Sequence, residues 1–107
     1  MKVFVTGKIV PRKKVHRSLD NFPITEVISD ASVGVPLLAE EWAMFNSVKI
    51  RRYHPNTRKW GKNANAMMYK NIVRNVDKVI VVCESEEDGV EMVTKLPKGA
   101  NVQVVRV

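Results

Sequence analysis

Apolar positions along this chain fall into short β-type runs separated by segments of helical period. Lys2–Thr6 carries β-branched Val3 and Val5, reads as a strand, and is broken by Gly7. Lys8–Lys14 reads as a basic loop holding Pro11, with a short helix or turn running on to Asn21. Ile24–Ser29, rich in Ile, Thr and Val, is a second predicted strand. From Val35 the pattern predicts a helix: Pro36 suits a first helical position, and Leu38, Trp42 and Phe45 recur at i, i+4 and i+7. Ser47–Arg51 is a third, shorter strand. It leads into a long polar loop, Arg52–Lys62, and a helix across Ala64–Asn75 with Ala64, Met68 and Ile72 on one face. Asp77–Cys83 is the strongest strand, because the unbroken apolar run Val79–Val82 suits a central strand covered on both faces. Asp88–Lys95 reads as a helix with Val90 and Val93 inward, Pro97-Lys98-Gly99 ends it, and Asn101–Val107 is the last strand.

Strands alternating with helices predict an α/β fold, a Rossmann-like three-layer sandwich of about five mostly parallel strands with helices on both faces. The chain reads as a single domain over 1–107, without repeats, low-complexity tracts or linkers. In such sheets ligands sit outside the carboxyl ends of the strands, near the point where strand order reverses. That edge would carry Gly7–Lys14, Asp30–Val35, Arg52–Lys62 and Glu84–Gly89, the first and third basic, the fourth acidic. Such a cleft, with one cationic and one anionic wall, suits a nucleotide.

Composition narrows the class. No apolar run approaches the roughly 20 residues of a membrane span, so no membrane partner is expected. The N-terminus lacks the layout of a signal peptide, and the single cysteine excludes an internal disulfide, so a cytoplasmic location is expected. Cys83 itself reads as a packing residue at a strand end. The net charge of +7 calls for anionic partners. Residues 1–19 and 42–76 carry no acid, whereas Glu84, Glu86, Glu87, Asp88 and Glu91 cluster, so the surface is polarised.

Two segments could carry chemistry. The turn Ser29–Pro36 joins a strand to a helix and could present backbone N–H groups to a phosphate; equally, it could be a plain turn capped by Ser32. The segment from Arg51 to Lys62 interleaves Arg51, Arg52, Arg58, Lys59 and Lys62 with Tyr53 and Trp60. Rings stack bases while cations follow phosphates, so it could bind nucleic acid or an acidic partner protein; the alternative is a solvated loop pinned by Trp60. His16 and His54 are isolated, which leaves no metal set, and no cofactor is expected.

The segments MKVFVTG, ISDASVGVPLLAEEWA, YHPNTRKWGKNANAMMYKNIVRNVDKVIVV and DGVEM together resemble the SLOG superfamily, in its small stand-alone YspA/YpsA-related branch. That branch opens on a strand ending Thr-Gly-Ser-Arg. It continues with Gly-Gly-Ala-x-Gly-x-Asp-x-Leu-Ala-x-x-Trp-Ala, a Trp…Gly-Lys-x-Ala-Gly loop, an Arg-Asn pair and a Gly-Thr turn. Gly7, Gly34, Leu38, Ala39, Trp42, Ala43, Trp60, Gly61, Lys62, Ala64 and Gly89 match it. Departures fall on polar positions: Lys8-Ile9 replaces Ser-Arg, Asp30-Ala31-Ser32 replaces Gly-Gly-Ala, and Pro36 replaces Asp. Likewise Met68-Tyr69 replaces Arg-Asn, and Val90 replaces Thr.

The resemblance implies a Rossmann-like domain that binds or senses nucleotides or nucleotide-derived ligands. A distant relative, the Lonely Guy type, cleaves the base from a nucleotide monophosphate. Gly7, Lys8, Ser32, Gly34, Lys62 and Gly89 are the expected ligand residues, with Lys8 and Lys62 as phosphate partners. Glu91 is the one candidate for a catalytic carboxylate, and the lost glycines and Arg-Asn pair argue for binding without catalysis. A homodimer through helices, with apolar surface from Met67 and Met68, is the expected assembly.

Overall fold

The computed structural model describes residues 1–107. Its strands are β1 (Lys2–Thr6), β2 (Glu26–Ser29), β3 (Lys49–Arg52), β4 (Lys78–Cys83) and β5 (Val102–Arg106). They form one sheet of order β3-β2-β1-β4-β5, and every pairing is parallel. Helices α1 (Arg12–Leu19) and α2 (Val35–Phe45) pack on one face through Val15, Leu19, Val35, Ala39 and Trp42, onto Val3, Val5, Ile80 and Val82. Helices α4 (Ala64–Arg74) and α5 (Glu86–Thr94) cover the other face, where Met68 and Ile72 meet Phe4, Ile28, Val79 and Val81. Alternation along β1 sends Val3 and Val5 one way and Phe4 the other, all fully buried. Each such side chain contributes about 1.5–3 kcal/mol of transfer free energy. This is the Rossmann-like α/β sandwich that the strand–helix alternation predicts. Strand order reverses between β1 and β4.

Several expectations are corrected. The basic segment Lys8–Lys14 is not all loop: Pro11 fixes the helical entry, Lys14 N–H and Val15 N–H donate to its carbonyl, and α1 begins at Arg12. The stretch 52–62 is not all loop either. It folds into the single-turn helix α3 (Thr57–Trp60), followed by a 3₁₀ turn (Gly61–Asn63). Phe45 leaves the apolar stripe of α2 and stands 72% exposed, its ring edge-on to His16. Val90 points outward, 57% exposed, because Gly89 is the residue that α5 presses against the sheet. Met68 is core, so it adds nothing to an apolar surface.

Candidate functional site

The carboxyl edge divides into two halves with opposite chemistry. At the reversal point, between β1 and β4, the chain closes on itself. A Cβ on Gly7 would lie 2.2 Å from the Val82 carbonyl oxygen and 2.8 Å from Val35 Cγ2. One on Gly34, whose φ is +106°, would lie 2.4 Å from the Lys8 carbonyl oxygen. That oxygen accepts the Val35 N–H at 3.0 Å, so the first amide of α2 is spent within the chain. Both glycines therefore serve contacts between chain segments.

The charges at this point are also paired off. The Lys8 ammonium donates to Glu91 Oε2 and lies 3.3 Å from Asp88 Oδ1; Lys14 Nζ donates to Glu84 Oε2 at 2.9 Å. The Glu91 hydrogen bond raises the Lys8 pKa, and the same bond holds the Glu91 carboxyl below its ordinary range. Ser85 Oγ caps α5 by accepting the Asp88 N–H at 3.2 Å, and Glu86, Glu87 and Asp88 fill the first turn. The helix end that could attract a phosphate thus faces the protein's own carboxylates. Gly89 lies inside α5, where a Cβ would come 3.1 Å from Cys83 Sγ. It is a packing glycine, and Cys83 beneath it is buried, which pushes its thiol pKa up. Glu91, ionised and tied to Lys8, is poorly placed to act as a general acid.

The turn after β2 is likewise satisfied from within. Ala31 N–H donates to Ser29 Oγ at 3.0 Å and Ser32 N–H to Asp30 Oδ1 at 2.9 Å. Ser32 does not cap α2; Gly34 occupies that position without a side-chain bond, and Pro36 removes one more amide. Ala31 is held at φ 61°, a left-handed conformation that favours glycine. Across the turn, the Tyr69 hydroxyl donates to Asp30 Oδ2 at 3.1 Å. Burial first, and the Asp30 charge second, push the Tyr69 pKa up to about 12. No periodicity or spacing in the sequence signals this Asp30–Tyr69 contact, whose residues lie 39 positions apart.

The half above β2 and β3 is different. Tyr53 N–H donates to Ser29 O and fastens the chain to the sheet as it leaves β3. Asn56 Oδ1 then accepts the Lys59 N–H at 3.1 Å and caps α3. Arg58, Lys59 and Lys62 are exposed and make no ion pair, and no acid lies anywhere in 42–76. Lys59 Nζ sits 5.1 Å from the centre of the Trp60 ring, which is 38% exposed. Lys70 and Arg74 extend the exposed positive charge along α4. Arg51 and Arg52 do not belong to this free set. Arg51 Nε lies 3.6 Å from buried Glu26, and Arg52 donates to buried Glu40 through Nε at 2.9 Å and Nη2 at 2.6 Å. The overlooked signal was a carboxylate inside each apolar segment.

Of the expected ligand residues, then, Gly7, Lys8, Gly34 and Gly89 gather at the self-paired half. Ser32 lies in the turn between the halves, and only Lys62 stands among free cations. No three His, Cys, Asp or Glu side chains gather to hold a metal ion. No helix is long and apolar enough to cross a membrane. The chain matches no family model, no curated protein and no solved structure.

Proposed function

We propose that the protein is a non-catalytic binding domain for nucleotide phosphates, engaged on the β2/β3 half of the carboxyl edge. The observation that carries this reading is the contrast in charge pairing: Lys8 and Lys14 are neutralised by α5 and its approach, whereas Arg58, Lys59 and Lys62 are free and exposed. Trp60, with Lys59 over its ring, offers an accessible aromatic face beside them. None of the main grooves of the molecule is lined by residues of this surface. Free nucleotides are normally held in enclosing clefts, whereas a strand gains affinity from each further phosphate. The shape therefore favours single-stranded nucleic acid, its bases stacking on Trp60 and its phosphates following the cations onto α4.

Ala31 supports a second reading, a free nucleotide or nucleotide-derived ligand of the kind the SLOG resemblance implies. It keeps a left-handed turn at a costly conformation where that family has glycine. The test is a Trp60 fluorescence titration with a panel of mononucleotides and with oligonucleotides of increasing length. Affinity rising with length, and lost in Arg58→Ala/Lys59→Ala/Lys62→Ala, supports the strand. Saturation by one mononucleotide supports the small ligand, and no response to either contradicts the proposal.

A further inference from the structure

Helices α1 and α2 pack side by side in one layer, and their outward sides differ in chemistry. On α2, Val35, Ala39, Trp42 and Ala43 are buried. Glu41 and Phe45 turn to α1: Glu41 Oε1 lies 2.9 Å from Arg12 Nε, and the Phe45 ring stands edge-on to His16. Leu37 and Met44, about two turns apart, are left on the outward side. Both are exposed, Met44 by 68%. With Phe45 beside them, three of the eight large apolar side chains exposed on the molecule stand on this one helix. α1 has the opposite character. It reads Arg-Lys-Lys-Val-His-Arg-Ser-Leu and holds no acid. Val15 and Leu19 are buried, Arg12 and His16 face α2, and Lys14 is paired with Glu84. Lys13 and Arg17, about one turn apart, face outward, exposed and without an ion pair.

We infer that this face docks an acidic amphipathic helix of a partner protein, laid over the seam between α1 and α2. The partner's apolar stripe covers Leu37, Met44 and Phe45, and its acidic flank meets Lys13 and Arg17. Anchors one and two turns apart are the spacing that such a helix presents. Packed helices lie about 8–10 Å apart, so a third helix in the seam touches both walls. The two free cations choose the sign of its flank, because the acids near the face are already engaged. Glu41 is held by Arg12, and Asp20 Oδ1 accepts the Trp42 Nε1–H at 2.9 Å.

Other occupants fit the face less well. A two-fold contact between copies would set the acid-free α1 against its own counterpart. A lipid surface that took up Leu37 and Met44 would draw the Glu41 carboxylate, which lies between them along α2, towards hydrocarbon. A nucleic acid strand would give these two side chains no apolar partner. The face uses none of Arg58, Lys59 and Lys62, so it stands or falls independently of the nucleotide reading.

Two fluorescently labelled synthetic helices of about 18 residues test it, alike in a leucine stripe but flanked by Glu in one and by Lys in the other. Anisotropy titration with the full chain is expected to show saturable binding of the Glu-flanked helix and weaker binding of the other. Lys13→Glu/Arg17→Glu should weaken the Glu-flanked helix by about tenfold or more and reverse the preference. Met44→Asp should weaken it to a similar degree, and Arg58→Ala/Lys59→Ala/Lys62→Ala should leave it unchanged. All the altered positions are exposed, so each variant is expected to keep the wild-type circular dichroism spectrum. No binding of the Glu-flanked helix overturns the inference, and so does binding that survives Lys13→Glu/Arg17→Glu or is lost in the Arg58, Lys59 and Lys62 variant. A dimer in sedimentation equilibrium, or retention on phosphatidylserine vesicles, that Met44→Asp abolishes would also overturn it, giving the face to a second copy or to lipid.

Discussion

A methyl group on Gly7 would sit 2.2 Å from the Val82 carbonyl and inside the contact distance of Val35, so β1 and β4 could no longer keep their present approach at the reversal point. Gly7→Ala and Gly34→Ala are each expected to destabilise by about 2–4 kcal/mol in urea unfolding. The glycines were legible in the sequence as special positions, but their reason was not: a phosphate cradle and a close approach of chain to chain require the same residue. The same ambiguity affects Lys8, because a sequence shows a cation without showing its counter-ion seventy and more residues away. Tyr69 gives a pH test. Its pKa is raised from 10.0 to about 12 by burial and by Asp30, so the folded state keeps the hydroxyl protonated where the unfolded chain ionises. The contribution is complete below pH 10.0 and lost as pH rises towards about 12. Across that window wild-type stability should fall more steeply than that of Tyr69→Phe, whose spectrum should also lack one late tyrosinate transition.

At the scale of elements, the strands read well because each central one is a run of β-branched residues between turn signals, and β4 is the clearest case. Faces of the helices read less well. Phe45 and Val90 have the spacing of buried residues, yet Phe45, the last residue of α2, lies against His16 of α1 outside the core, and Gly89 is the residue of α5 that packs against the sheet. The element with most bearing on the proposed function, α3, is a single turn too short for any periodic signal. Its order rests on the Asn56 cap. Asn56→Ala is expected to loosen that turn by about 1 kcal/mol. Backbone amides of Thr57–Trp60 should then exchange faster and nucleotide-phosphate affinity should weaken, while the global unfolding midpoint stays in place. In contrast, Ile72→Ala, on the buried face of α4, should cost about 2–5 kcal/mol of global stability.

For the whole molecule, the uneven pairing of charge matters more than its sum. Glu84, Asp88 and Glu91 pair with Lys14 and Lys8, and two buried carboxylates hold Arg51 and Arg52, which leaves Arg58, Lys59, Lys62, Lys70 and Arg74 as an unpaired group on α3, the turn after it and α4. Charge runs and the acid-free stretch were legible in the sequence; which cations were already neutralised depended on the sheet order that brings α5 beside β1. If Arg58, Lys59 and Lys62 each neutralise one phosphate of a single strand, removing all three should flatten the log–log dependence of affinity on salt by about 2. Lys8→Ala should leave that slope alone. The most direct measurement is an amide chemical-shift titration of the labelled protein with a short single-stranded oligonucleotide. The account predicts shifts confined to Tyr53–Lys62 and the start of α4. Shifts centred on Gly7–Val10 and Glu84–Gly89 instead would contradict it, and would return the ligand to the reversal point of the sheet.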